Sequence, residues 1–248
     1  MARIQLRDTS IYLQDGLAGT AAVDQAAGVV ATDSTATIDT VALNANVTDQ
    51  VPVGARLTFA GDSTVYTVTA RTPSSGTTTD ITFTPVKATG TVADDSVITF
   101  LPQRLEIKIG EGDLSWSESR EFIYDLDRDR LDTVRQGADQ PVSVDLAFTF
   151  EYVTASTARP PTPVDCLKRI GNASEWVSSS SDLCEPYAID IIAVHCVACG
   201  ADEDQEILMP DFRYEGLDYS VADASISVSG QCNATETTTI RSNHGDCA

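Results

Sequence analysis

Three residues in the last third of the chain have the types and spacing that could do chemistry: His195, Cys196 and Cys199, in the run His-Cys-Val-Ala-Cys. A Cys-x-x-Cys pair beside an imidazole is half of a tetrahedral zinc site, or the centre of a thiol redox motif. A second close-spaced pair is missing, because Cys166, Cys184 and Cys232 stand singly and Cys247 lies near the end. No alternation of strands and helices surrounds the motif, as a thioredoxin-like site would need. The six cysteines therefore read first as buried or disulfide-paired structural residues. A metal held by Cys196 and Cys199 is the alternative, and redox catalysis comes last.

The run DLDRDRLD, residues 125–132, places carboxylates at alternate positions, as a calcium loop does. An EF-hand loop starting at Asp125 would need Gly at Arg130 and Glu at Gln136, and both fail. Arginines interleave instead, so Asp125, Asp127, Arg128, Asp129, Arg130, Asp132 and Arg135 read as a ladder of ion pairs within or between subunits. Such pairs fix geometry more than they stabilise. GADEDQE at 200–206 reads as a solvated acidic loop. There are two histidines, His195 and His244, and no Gly-x-Ser-x-Gly, phosphate-cradling loop or dinucleotide fingerprint. An enzyme is not expected, nor a cofactor. Three Asn-x-Ser/Thr triplets, at Asn46, Asn172 and Asn233, are chance matches if the chain is not exported.

Charge narrows the partners. With 37 acidic and 16 basic residues the net charge is −21, which argues against binding to nucleic acid or anionic membranes by charge neutralisation. It leaves open a surface to which DNA does not stick. Arg3, Arg7 and Asp8 stand where a signal peptide would need an apolar core. The longest apolar run, AIDIIAVHCVAC, is interrupted by Asp190 and His195 and is too short to cross a bilayer. A soluble, non-exported chain is expected.

The stretch that must organise the rest is Pro141–Val153. Val142, Val144, Leu146, Phe148 and Phe150 alternate with Ser143, Asp145, Ala147, Thr149 and Glu151. A period of two writes one apolar face and one small, polar, acidic face on a strand. Residues 142–152 would span roughly 35 Å, longer than a usual strand. The apolar set is expected to pack on a sandwich core with Trp116 or Tyr124 and a helix near Leu167.

Around it the chain reads as mainly β. Residues 3–14 alternate weakly, and Leu17–Gly28 reads as a linker or arm. From about residue 29 to 101 charge thins and short strands follow one another: TATIDTVAL, ARLTFAG, TVYTVTART, DITFTPV and SVITFL. Turn residues separate them, so this is an inserted small β domain. The larger domain, 1–28 and 102–248, has further strand candidates at LEIKI, LSWSES, EFIYDL, AIDIIAVHC, ILMPDFRYE, LDYSVADAS and ISVSGQC, then a polar tail from Asn233. Its helix signal is Thr162 as N-cap, Pro163 at the first position and Gly171 past the end.

These residues carry a resemblance: LEIKIGEGDLSWSESREFIYDLDRDRLDTVRQGADQPVSVDLAFTFEY, then CEPYAIDI, PDFRYEGLDYSV and ISVSGQCNAT. In that order the span from Leu105 to Thr235 resembles the major tail tube proteins of long-tailed bacteriophages. The match is one of texture. Residues 29–101 are extra relative to the smallest tube proteins, and Asp129 stands where a Gly is expected. The resemblance implies a β-sandwich or barrel with one short flanking helix. It also implies assembly with copies of itself into hexameric rings, stacked as a conduit for DNA ejection in the virion tail. Tape measure, tail terminator and baseplate proteins would be the further partners, with no membrane and no specific DNA binding.

On that reading Asp145 and Glu151, with Glu106, face the lumen or its rim, where carboxylates repel phosphate over a Debye length of about 8 Å. The connection Asp125–Gln140 contacts other subunits or rings, and the insertion sits on the outside. The rival reading is another virion decoration or cell-surface β protein that binds a partner through residues 29–101.

Overall fold

The computed structural model describes residues 9–23, 38–43, 51, 53–74, 78–87, 96–109, 113–149, 161–182, 184–196 and 204–241. The fold is mainly β, with antiparallel sheets and one short helix. It divides into two units. The first holds residues 1–14, 104–174 and 178–248, and the second holds residues 15–103 with 175–177.

In the first unit the strands are β1 (Thr9–Gln14), β8 (Arg104–Ile107), β9 (Leu114–Ser117), β10 (Arg120–Asp127), β11 (Arg130–Asp139), β12 (Ser143–Thr149), β13 (Ile189–His195), β14 (Gln205–Ser220), β15 (Ser225–Cys232) and β16 (Thr238–Arg241). The order is β8-β1-β13-β14-β15-β12-β9, with β16 also on β14. Strand β14, at 16 residues, is where the two layers of the sandwich join. Its first half pairs with β13 and β16, and its second half with β15. Only Phe212 has a partner in both, Ile189 on one side and Cys232 on the other. A strand that switches sheets turns the corner through a bulge or bend. Here the register slips between Ile189 and Ile191, and Asp211 takes a left-handed φ of 52°.

The period of two in the organising stretch survives as β12. Val142, Val144, Leu146 and Phe148 are buried, while Ser143, Asp145 and Thr149 are exposed. The strand has partners on both sides, β15 and β9. Strand β12 ends at Thr149, shorter than expected, and Phe150 and Glu151 lie outside the described residues. Tyr124 does not join the core: it is 59 % exposed on β10, and Trp116 is partly exposed on the edge strand. Helix α1 (Pro163–Lys168) starts as its residues dictate. Thr162 Oγ1 accepts from the Asp165 amide, and the Asp165 carboxylate accepts from the Thr162 amide, a reciprocal capping box. Its left-handed C-cap is Arg169 rather than Gly171, which instead opens a single 3-10 turn, Gly171–Ala173. Cys166 and Leu167 are buried.

The second unit contains β2 (Gly19–Ala22), β3 (Ile38–Leu43), β4 (Arg56–Phe59), β5 (Tyr66–Ser74), β6 (Thr78–Lys87) and β7 (Val97–Leu101), in the order β2-β7-β4-β5-β6-β3. An isolated bridge from Val23 to Leu43 joins the end of β2 to β3, which brings the two outer strands of the sheet together. The interior is filled by Leu43, Leu57, Ile81, Phe83 and Ile98; the Tyr66 ring meets those of Phe59 and Phe83 edge-on with centroids 5.2 Å apart, and Phe59 and Phe83 meet at a tilt at 5.3 Å. Residues 17–28 are thus no plain linker: Leu17 and Val23 are core and 19–22 is a strand, while residues 24–28 lie outside the described residues. Ala- and Gly-rich sequence hides such a strand because small side chains write no alternation. Asp15 is fully buried and accepts from the amides of Gln103, Leu17 and Val177 and from the Gln103 side chain. Burial pushes its pKa up against those four donors. One carboxylate thereby joins three separate lengths of chain in the unit.

Candidate functional site

The open face of the sheet around β12 is built from the residues that alternate with its core. Asp145 pairs with Ser115 on β9 and with Ser229 on β15, and Ala147 pairs with Ser227, which pairs with Asp218 on β14. Asp113, Ser115, Asp145, Asp218, Ser227 and Ser229 line one shallow groove. Small side chains leave that surface flat, and its charge is entirely carboxylate. Glu106 is not among the residues that line the groove: β8 meets β12 only past its own end, where the Thr149 amide donates to the Lys108 carbonyl, and Glu106 accepts from Ser10 Oγ at 3.1 Å. Two edges near Asp145 carry no strand among the described residues: the outer side of β9, and the side of Gly216–Ser220 away from β15.

Strands β10 and β11 form a separate two-stranded sheet. It continues from β9 and returns into β12, so it is an arm leaving the sandwich at the Ser117–Ser143 end. The tip is the two-residue loop Arg128–Asp129 between the paired Asp127 and Arg130. Both loop residues have positive φ, 48° and 63°, which is the mirror-image turn that matches strand twist. Aspartate tolerates that region, which explains how the hairpin closes without the expected Gly.

Register sorts the arm into two faces. Phe122 opposes Gln136, Tyr124 opposes Val134 and Leu126 opposes Leu131; the other face pairs Ile123 with Arg135 and Asp125 with Thr133. The first face is therefore apolar, and it is uncovered: Tyr124 is 59 %, Leu126 65 % and Leu131 60 % exposed. The expected ladder of ion pairs reduces to one, Asp125 with Arg135 at 2.8 Å, plus Arg120 with Glu236 at 3.0 Å beyond the run. Asp127, Arg128, Asp129, Arg130 and Asp132 make no ion pair among the described residues. Sequence reading saw the charges of this segment and missed its apolar face. Phe122, Tyr124 and Leu126 fall on one side and Val134 and Leu131 meet them only once the hairpin register, with a bulge after Asp125, is known.

Of the cysteine motif the structure describes His195 and Cys196. Cys196 is disulfide-bonded, so its sulfur is not free as a thiolate ligand, and Cys199 lies outside the described residues. His195 Nδ1 is 3.2 Å from Thr9 Oγ1. Cys166 and Cys232 are buried, and Cys184 is exposed. Burial, with the charges of Asp190 and Asp211 nearby, pushes the Cys232 thiol up to about 12, which makes it inert as a nucleophile at neutral pH. Among the described residues no group of three or more His, Cys, Asp or Glu is arranged to hold a metal.

Comparison with models of known protein families, with curated proteins and with solved structures finds no match for this chain.

Proposed function

We propose that the chain is a structural subunit that assembles with copies of itself into stacked rings, forming the tube of a long-tailed phage and the conduit for its DNA. The observation that carries this is the β10–β11 arm, whose apolar face of Phe122, Tyr124, Leu126, Leu131 and Val134 stands open to water. A lone two-stranded ribbon is at best marginally stable in water and needs its apolar face covered. The order of textural motifs from Leu105 to Thr235 supports the same reading. So does the flat acidic face around Asp145. Joining the open edge of β9 to that of another copy would remove both bare edges and carry the face around a ring. A wall of carboxylates lets a polyanion pass without the counterion exchange that holds DNA to basic surfaces. Negative-stain microscopy of the purified full chain tests this: hollow tubes or rings are expected, and compact single particles at every concentration would overturn it in favour of a decoration or binding protein.

A further inference from the structure

The arm leaves the sandwich where backbone pairing is interrupted. Ser117 is the last residue of β9 paired to β12, opposite Ser143, and Arg120 opens the arm opposite Asp139. Between those two pairs lie two short links, residues 118–119 and 140–142, which side by side would make a hinge. They are crossed by residues 233–237, which run from the end of β15 to the start of β16. At one link the Val142 amide donates to the Ala234 carbonyl at 2.8 Å, and the Val142 carbonyl accepts from the Cys232 amide at 2.9 Å. At the other, a single oxygen of Glu118 accepts from the Thr237 amide at 2.8 Å and from the Thr237 hydroxyl at 2.6 Å. On the first residue of the arm, Arg120 pairs with Glu236 at 3.0 Å. The crossing segment is itself held by the sandwich at both ends. The Asn233 amide donates to the Asp211 carbonyl and its side chain to Glu185, both at 3.3 Å, and Thr238–Arg241 pairs with β14.

We infer that residues 233–237 are a strap that sets the direction in which the arm points, with Glu118 as the positioning residue that fastens it. The fastening stands on its own, and its consequence for assembly rests on the tube reading. The two links are held differently. Val142 is held through its backbone, which any residue there would supply, whereas 118–119 are held through the Glu118 carboxylate. Hydrogen bonds to an ionised acceptor are the stronger kind. The Thr237 hydroxyl, then its amide, hold the Glu118 carboxyl below its usual pKa against partial desolvation, which keeps it an ionised acceptor at neutral pH. Glu118, Arg120 and Glu236 are all exposed, so their contacts add little to global stability. What they restrict is an angle. Every copy added to an assembly repeats one contact geometry, so an arm swinging on two links would lose that freedom at each addition. A strap that fixes the direction beforehand removes this entropy loss.

The test is 15N relaxation of the arm's amides, measured on the single subunit in the full chain carrying L126S/L131S. With Glu118 in place the arm's order parameters should match those of β12, about 0.85, and in E118A they should fall below about 0.6. E118Q, which keeps an oxygen acceptor, should stay with the parent. The midpoint of unfolding should be the same in all three, a readout that a merely structural residue would move. In the chain with Leu126 and Leu131 intact, E118A should raise the concentration needed for assembly by about tenfold. R120E should raise it as well, and R120E/E236R should restore it. An arm as ordered in E118A as in the parent would overturn the strap, whether or not tubes form. A midpoint that falls together with the order would overturn the positioning role. A loosened arm with unchanged assembly would overturn the strap's part in assembly. A loosened arm in E118A, where the parent chain forms no tubes, would overturn the tube reading and leave the strap standing.

Discussion

The backbone N–H of Asp211 donates to a carboxylate oxygen of Asp190 at 2.9 Å, across the bulge where β14 passes from one layer of the sandwich to the other. Asp211 holds a left-handed φ there, and its own carboxylate accepts from Ser179 Oγ at 2.7 Å. Burial, and then the Asp211 charge, push the Asp190 pKa above the usual carboxylate value despite the donors that oppose them. A raised folded-state pKa means the native protein binds more protons than the unfolded chain just above the ordinary Asp range. The contribution of Asp190 is thus fully present below the unfolded pKa and is lost as pH rises through the folded one. Replacing Asp190 by Asn keeps an acceptor for the Asp211 amide and removes the charge. D190N should gain stability relative to the parent at pH 7 and show little difference at pH 4, measured by denaturant unfolding at both.

Gly230 sits on the opposite side of the same corner. A Cβ at this position would fall 2.1 Å from the carbonyl oxygen of Arg213 and 2.8 Å from the Phe212 ring. Its φ is not in the left-handed region, so the constraint is the close approach of backbone. The bulge between Tyr214 and Gly216 brings β14 against β15 here, and backbone on both sides cannot yield as a flexible side chain would. G230A should cost about 2–3 kcal/mol, at the upper end of overpacking effects. The midpoint of unfolding checks it.

How much of this could be read in the residues depends on what each element uses to specify itself. Strands β12 and β15 announce themselves through alternation, because one face is core and the other is not, whereas β13 reads as an apolar run because both its faces are buried. The capping box of α1 is legible because Thr162, Pro163 and Asp165 act within four residues. Strand β2 is illegible because Gly19 and Ala21 have too little side chain to mark a face. In the sequence β14 reads as two pieces, ILMPDFRYE and LDYSVADAS, and β16 as tail. The break between the two pieces, at Gly216, is a bulge inside one strand, and Thr238–Arg241 alternates nothing. The acidic groove is half legible: Asp145 follows from the period, but Asp113 and Asp218 reach it only through the register of two other strands. The arm's apolar face needed pairing as well.

The second unit is inserted between two neighbouring strands. β1 and β8 are antiparallel partners, and Gln14 pairs with Arg104, so the chain leaves and returns at adjacent positions. Arg104 Nε also donates to the Gln14 side chain at 2.6 Å. Excision therefore has natural limits at 15 and 103, wider than the stretch 29–101 that composition marks. Cutting at 29 and 101 would strand β2 and leave Asp15 without its Gln103 donors if the cut is extended by two residues. Replacing residues 15–103 by Asn-Gly should convert β1 and β8 into a tight hairpin. Trp176, buried in the second unit, would be exposed and is changed to Ser in the same variant. The shortened chain should remain folded, with a strand-rich circular dichroism spectrum and one cooperative transition.

Substitutions on the arm separate stability from assembly. Leu126 and Leu131 face each other near the tip and are exposed in the single copy. Making both Ser removes no core packing, so the unfolding free energy of the isolated subunit should change by less than about 0.5 kcal/mol. If the arm's apolar face is an interface, the same change abolishes tubes in the microscope and shifts sedimentation to the monomer. The reverse pattern, loss of stability with assembly intact, would mean the arm folds back on its own subunit.

Charge on the open face around β12 has a different readout. Asp145 and Asp218 line one groove with Asp113 and protrude among Ser115, Ser227 and Ser229, so neither carries an ion pair whose loss would unfold the sheet. Lysine at both positions changes the net charge of each copy by +4, from −21 to −17, while concentrating the change on one surface. If that surface lines a bore, repetition around a ring turns a repelling wall into one that exchanges counterions with phosphate. D145K/D218K assemblies should retain DNA at low salt and release it steeply as salt rises, whereas parent assemblies show no retention at either. Filter retention of a labelled duplex across a salt series measures this, and equal retention by the two proteins would remove the electrostatic role of the groove.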